Sequence, residues 1–277
     1  MTWRTELAAA LGPKRVRAEP VSGGDINDAY RAELADRRTV FVKTHRAPPP
    51  GMYVAEAAGL AWLAEGPLRT PRVLAVGEAF LALEWLELGD RGRTSEEQLA
   101  RGLAALHQLG APAFGLDRGN YLATIPQDNT PEIDIVTFYV ERRLRPLVAQ
   151  LRDGAPDLDA QLDALGQLPD RFGPPEPPAR LHGDLWWGNV GFSRGEPVLI
   201  DPAVYGGHRE IDIAMLMLFG GVSETFINAY TEVYPLAPEW RSRVPLWQLY
   251  PVAAHGVLFG SGYTTQLARL LRDLTSA

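Results

Sequence analysis

Strand-like and helix-like periodicity are sharply segregated along this chain, and that division limits the fold more than any other feature. Residues 16–21, 29–34 and 39–44 read as three short strands, set apart by the turn sequences SGGD and ADRR. Residues 53–65 repeat alanine and leucine at helical spacing, and 73–76 and 80–86 return to strand character. A short helix over 5–11 stops at Gly12-Pro13 ahead of all of them. Three strands, a helix and two strands are most simply satisfied by a five-stranded antiparallel sheet with one helix. Beyond Gly89 the patterns are helical over 95–109, 133–151, 158–168, 211–219, 224–233 and 240–274, and Ser95, followed by Glu96, Glu97 and Gln98, reads as a capped helix start. Between these helices lie a stiff proline-rich connector, PDRFGPPEPPAR, and one short strand-rich insert at 181–203. The expected fold is therefore α+β in two unequal parts, residues 1–86 carrying the sheet and 87–277 mainly helical.

Composition enters by exclusion. With no cysteine, the chain has no disulfide, thiolate nucleophile or cysteine-ligated metal. The longest apolar stretch, 213–222, is half of what a membrane-spanning helix needs, and Glu6 interrupts what would be a signal peptide's apolar run. A cytoplasmic location is the default expectation. Basic and acidic residues nearly balance over 1–86, 11 against 10, whereas 87–277 holds 16 against 24. That acidic surplus argues against nucleic-acid and anionic-membrane partners and tolerates a cationic ligand. Oligomeric state leaves no trace in the sequence.

The densest chemistry is LHGDLWWGNVGFSRGEPVLIDPA, residues 181–203. It sets Asp184, Asn189 and Asp201 five and twelve residues apart, with the apolar run 198–200 delivering the last of them. Two carboxylates and an amide are hard oxygen donors. Mg²⁺ takes six oxygens and keeps waters, so a phosphotransferase can bind it through one carboxylate and one amide while the nucleotide phosphates complete the shell. Asn189 and Asp201 suit that division, leaving Asp184 to orient a hydroxyl and accept its proton. Singly, each of these residues is as readily a turn residue or helix cap.

These residues resemble the HGDxxxxN and aspartate metal motifs of the aminoglycoside phosphotransferase and choline kinase superfamily. More narrowly, HGDLWWGN with IDPAVYGGHREIDIAMLMLFGG is similar to the fructosamine kinase (ketosamine 3-kinase) family. VSGGDINDAYR, VFVK, HQLGAPAFG and NYLATIPQDN extend the likeness over nearly the whole chain. The resemblance implies a two-lobed protein-kinase-like fold, ATP and Mg²⁺ as cofactors, Asp184 as catalytic base, and Asn189 and Asp201 as metal ligands. It also implies that Lys43, one of only two lysines beside 25 arginines, holds nucleotide phosphates and pairs with Glu56. A compact ammonium on a flexible stem does this differently from arginine's planar fork. The turn containing Gly23, Gly24, Asp25, Ile26 and Asn27 lets backbone N–H groups approach phosphates, although no GK[ST] follows it. Glu84, Trp85 and Leu86 are the implied hinge reading adenine. Trp186 and Trp187 are candidates to stack on a sugar or amine, and His208, Glu210 and Asp212 either shape the substrate side or brace the catalytic loop. His182 is expected to orient that loop, and His45, His107 and His255 carry no signal by spacing. The implied substrate is a free or protein-bound fructosamine, phosphorylated at the 3-hydroxyl. Aminoglycosides, choline and other amino alcohols are alternative acceptors, and a nucleotide-binding pseudokinase or a metal-dependent hydrolase remains a different class.

Overall fold

The computed structural model describes residues 2–12, 16–21, 27–92, 94–151 and 157–276. The small lobe runs α1 (Trp3–Leu11), β1 (Val16–Pro20), β2 (Asp28–Leu34), β3 (Thr39–Thr44), α2 (Met52–Leu63), β4 (Val73–Val76) and β5 (Phe80–Glu84). The five strands form one antiparallel sheet in the order β1-β2-β3-β5-β4, as the periodicity predicts. Successive side chains of a strand point to opposite faces, and here each face meets its own helix. Val40, Val42, Phe80 and Ala82 pack with Leu7 of α1, while Leu81, Leu83 and Phe41 pack with Met52, Tyr53 and Leu60 of α2. Lys43, out of step with Val42 by one residue, therefore shares the α2 face and is 5% exposed.

The large lobe continues with α3 (Ser95–Gln108), the hairpin β6 (Asn120–Leu122) and β7 (Ile125–Gln127), α4 (Ile135–Thr137), a π-helical stretch over Phe138–Leu144, α5 (Arg145–Leu151) and α6 (Leu158–Gly166). Then come β8 (Ala179–Leu181), β9 (Val190–Ser193), β10 (Glu196–Leu199), β11 (Tyr205–Gly207), α7 (Glu210–Leu218), α8 (Glu224–Val233), α9 (Trp240–Trp247), α10 (Leu249–Phe259) and α11 (Ser261–Thr275). β8 pairs with β11 and β9 with β10, both antiparallel. Among the described residues no helix is long and apolar enough to cross a membrane.

Three features differ from expectation. The helical run over 240–274 is broken into three helices, with Gly260 at φ 97° between α10 and α11, a conformation that favours glycine. Ser95 does not cap α3. Thr94 precedes the helix without a side-chain cap, while the Ser95 hydroxyl accepts from the Gly92 N–H at 2.8 Å and donates to the Gly195 carbonyl at 2.6 Å. It thereby ties α3 to the β9–β10 turn. The β6–β7 hairpin was hidden because its tight turn uses Ala123 at φ 57°, where glycine or asparagine is the usual signal.

Two apolar clusters fill the large lobe. One surrounds Trp247, Phe138, Tyr139 and Phe172. The other joins α3 and α8 through Leu99, Leu103 and Phe226, and also takes up Leu185, Val190 and Leu199, which flank the HGD segment in sequence. The polar residues between those anchors are thus carried on a loop pinned from below.

Candidate active site

Lys43 and Glu56 come from adjacent elements, β3 and α2, whose facing surfaces are apolar except at this pair. The Lys43 ammonium lies 2.8 Å from Glu56 Oε1 and 2.9 Å from Asp201 Oδ1, so one cation joins the sheet, its helix and the loop after β10. Burial alone would push the Lys43 pKa down, but the Asp201 and Glu56 carboxylates outweigh it and hold the ammonium charged above the ordinary lysine value. Burial pushes the Glu56 carboxyl above its usual range, with Lys43 working against that.

The HGD loop, residues 182–184, follows β8. Gly183 has φ 82°, and a Cβ there would lie 2.1 Å from the Ala203 carbonyl oxygen, so both backbone conformation and space require glycine. His182 donates from Nε2 to the Ile200 carbonyl at 2.9 Å and accepts the Asp184 N–H on Nδ1 at 3.3 Å. Burial holds its pKa below the ordinary histidine value, which keeps it a neutral strut between two loops. Asp212, fully buried at the start of α7, accepts the His182 and Gly183 N–H groups at 2.8 and 3.0 Å. It braces the loop instead of meeting substrate. Asn189 Nδ2 donates to the Asp184 backbone carbonyl at 2.8 Å and to its Oδ2 at 3.0 Å, holding the carboxylate in place. Asp201 sits at φ 56°, a left-handed conformation uncommon outside glycine that tends to mark functional sites.

The donor set fits the divalent cation implied by the resemblance. Among the described residues no group of three histidines or carboxylates is arranged to hold a metal by itself. Asp184, Asn189 and Asp201 do line one cleft, and Asn189 turns its amide nitrogen to Asp184, leaving its carbonyl oxygen as a donor. Burial, then the neighbouring Asp201 charge, pushes the Asp184 carboxyl up to about 7. Crowded negative charge of this kind is relieved by a cation, and a set of two carboxylates and one amide leaves most of a Mg²⁺ shell to phosphate and water oxygens.

The cleft encloses about 540 Å³. Asn27, Ala29, Phe41, Lys43 and Glu56 line it from the small lobe, and Asp184, Asn189 and Asp201 form its floor. Asn27 Oδ1 accepts from the Tyr53 hydroxyl at 3.2 Å. Gly23, Gly24, Asp25 and Ile26 lie outside the described residues. Glu84, Trp85 and Leu86 are not among the lining residues; Trp85 lies against Phe41, with ring centres 6.5 Å apart.

The other end of the cleft is aromatic. His255, near the end of α10, is surrounded by Phe219, Phe259 and Tyr263 at ring-centre distances of 5.0, 5.4 and 5.1 Å, and Trp186 lies 6.2 Å from Phe219. His255 was missed by spacing because α10 and α11 bring it to the site over a long sequence separation. The two tryptophans part company. Trp186 is 39% exposed and lines the cleft, packed over Gly188, where a Cβ would lie 2.2 Å from its ring. Trp187 faces away, donating to the Gly221 carbonyl at 2.8 Å beneath the Arg91 guanidinium, so its expected substrate contact is corrected to a packing role. His208 and Glu210 are likewise corrected. His208 stacks on Trp247 at 4.7 Å, and Glu210 is 1% exposed, accepting from Arg243 and from Trp247 Nε1 at 2.9 Å. Both belong to the core, away from the cleft.

Comparison with known proteins gives the family and the fold. The family model described as fructosamine kinase matches residues 2–277. A protein of Thermus thermophilus named a probable ketoamine kinase is 41% identical over 254 residues, 92% of each chain. A crystal structure of a candidate fructosamine-3-kinase from Thermobifida fusca is 36% identical, with a TM-score of 0.90 over 100% of this chain and 99% of its own. Macrolide 2'-phosphotransferase type I, 16% identical with a TM-score of 0.61 over 99% of this chain and 97% of its own, shares the fold alone. The chain belongs to the fructosamine kinase family and has its two-lobed, protein-kinase-like α+β fold.

Proposed function

We propose that this protein is a cytoplasmic, ATP- and Mg²⁺-dependent kinase that phosphorylates the 3-hydroxyl of ketosamines, sugars linked through an amine to a lysine side chain or a free amino acid. The observation that carries the reading is the single cleft in which Lys43 bridges Glu56 and Asp201 while Asp184 lines the same floor. Membership of the family and the relative's name support the substrate class.

In this reading the acceptor hydroxyl oxygen forms a bond to the γ-phosphorus, the bond from that phosphorus to the β-phosphate oxygen breaks, and the hydroxyl proton passes to Asp184. Asn189, through its hydrogen bonds to Asp184, keeps the accepting carboxylate aimed. Lys43 holds the α and β phosphates, and Glu56 keeps that ammonium from collapsing wholly onto Asp201. Bound Mg²⁺, held by Asn189 and Asp201, would neutralise phosphate charge in the transition state. The family resemblance assigns the backbone of Glu84, Trp85 and Leu86, which do not line this cleft, to the adenine edge, and residues 23–27 to the phosphates. Positioning and charge neutralisation supply most of the rate in such transfers.

The aromatic end favours a ketosamine over a polycationic aminoglycoside. The acids lining the cleft, Glu56, Asp184 and Asp201, all lie at the phosphate end, whereas Trp186, Phe219, Phe259 and Tyr263 line the other. Such a wall suits one sugar ring and one amine, through stacking and cation–π contact, and offers no row of carboxylates for several ammonium groups. The consequence of 3-phosphorylation would be release of the amine, a repair of glycated proteins or metabolites. ATP turnover against fructosyl-amines, ribulosyl-amines and aminoglycosides tests the reading. Turnover of the first two classes is expected. Activity confined to aminoglycosides would overturn the acceptor, and nucleotide binding without any phosphorylation would point to a pseudokinase.

A further inference from the structure

His107 is a polar residue on the apolar face of α3, one helical turn from the buried Leu103 and Ala104, and is itself 1% exposed. Buried polar groups in folded proteins have partners, and His107 has two. Its Nδ1 lies 2.7 Å from the Tyr230 hydroxyl on α8, and its Nε2 lies 3.2 Å from Asp212 Oδ2 on α7. An ionised carboxylate only accepts. The hydrogen is therefore on Nε2, and Tyr230 donates to the bare Nδ1. Asp212 in turn accepts the N–H groups of His182 and Gly183. A continuous line of hydrogen bonds thus runs from Tyr230 through His107 and Asp212 to the backbone just before Asp184.

That backbone cannot hold itself. Residues 182–186 belong to neither helix nor strand, and Gly183 at φ 82° contributes no side chain to anchor them. The loop depends on bonds from outside, and two of them end on Asp212. The two amides fall on different oxygens of Asp212, and the His107 N–H adds a third donor on Oδ2, so this carboxylate, whose terminal torsion is soft on its own, is held from the α3 side as well as from the loop.

We propose that His107 is a positioning residue for the phosphoryl transfer, acting through Asp212 to hold the loop that presents Asp184. The kinetic part of this proposal rests on the kinase reading above, whereas the structural part does not. His107→Phe fills the same space without either hydrogen bond, and His107→Gln returns an N–H near the Nε2 position. His107→Phe is expected to lower kcat roughly 10- to 100-fold, the scale of a misplaced reacting group, with KM for ATP and acceptor unchanged within about twofold. Amide hydrogen exchange at His182 and Gly183 should quicken at the same time, and His107→Gln should recover most of both. In an Asp212→Asn background, His107→Phe should add less than about a twofold loss, because coupled residues are not additive.

The proposal is overturned if His107→Phe lowers thermal stability but leaves kcat and the two amides as in wild type. It is also overturned if the His107 and Asp212 losses multiply, or if folded His107→Gln recovers nothing. Should His107→Phe fail to fold, Tyr230→Phe removes the donor to Nδ1 together with one hydrogen-bond partner of Arg209, which Glu176 and the Tyr234 and Pro235 carbonyls still hold. Faster exchange at His182 and Gly183 is then expected, and unchanged exchange refutes the line of bonds. Wild-type protein that phosphorylates no ketosamine would overturn the kinase reading, while the exchange comparison would still decide whether His107 holds the loop.

Discussion

Replacing Lys43 with methionine keeps the length and apolar stem of the side chain and removes the ammonium between Glu56 and Asp201. Asp201 is 39% exposed and can turn to water, but the Glu56 side chain is 10% exposed and is left against apolar neighbours. Losing one partner of a buried ion pair is severe because the other charge stays behind. Glu56 can escape only by taking up a proton. At pH 7 that means binding a proton about 2.5 pH units above its ordinary value of 4.5, and at about 1.4 kcal/mol per unit the cost is at most about 3.4 kcal/mol. At pH 5 the same step costs only about 0.7 kcal/mol. The sign follows from the direction of the shift. A carboxyl whose folded pKa is raised is most favourable when protonated, so the variant's stability is retained near pH 4.5 and lost as pH rises above it. At about 2–4 °C per kcal/mol, Lys43→Met should melt up to roughly 7–14 °C below wild type at pH 7 and only a few degrees below at pH 5. Lys43→Met/Glu56→Leu removes the stranded carboxyl and should regain most of this loss while remaining at least roughly 100-fold down in kcat, as expected when a phosphate contact is missing. Thermal unfolding by circular dichroism at pH 5, 7 and 8, beside ATP turnover, measures both. An equal loss at every pH, or a double variant no more stable than the single one, would refute the reasoning about Glu56. Wild-type turnover by the double variant would refute the phosphate role of Lys43.

Asp184→Asn should abolish turnover while leaving Tm equal or higher, because burial and Asp201 disfavour the Asp184 charge; a clear drop in Tm would contradict this. Trp186→Ala should raise the acceptor KM with little change in the KM for ATP, whereas Trp187→Phe should leave acceptor KM unchanged. The reverse pattern in steady-state kinetics would undo the division between the two rings. Chelating Mg²⁺ should stop turnover without lowering Tm by more than about 2 °C, since the ion-pair bridge and the apolar clusters hold the lobes together without the metal. Unfolding on chelation would show that the ion is structural.

Much of the fold was legible because its signals are local. The alternation Val40-Phe41-Val42-Lys43 splits one strand between two faces, and the sheet formed with the expected five strands. The two breaks that divide 240–274 into three helices, at Gln248 and Gly260, were less visible, since the run stays helical in pattern on both sides of each. The site was legible where one short segment carries it. Asp184, Asn189 and Asp201 lie within 18 residues and share one cleft. His107 and His255 were not legible by spacing, because Tyr230 stands more than 100 residues from His107 and Phe219, just past the end of α7, stands far in sequence from His255. His107 did leave one trace, a polar side chain on an otherwise apolar helical stripe.

The chemistry of the residues and their local periodicity were set by the sequence alone: which positions carry carboxylates, which lysine ends an apolar strand, where glycines punctuate the elements. Tertiary structure decided which of two adjacent tryptophans meets the cleft, that His208 and Glu210 belong to the core, and that Asp212 grips the loop instead of the substrate. The physical reason is that a side chain's type follows from its own atoms, whereas its role depends on what packing places opposite it. Trp186 and Trp187 have identical rings, and only the contacts with Gly188 and Phe219 on one side and Arg91 and Gly221 on the other separate them.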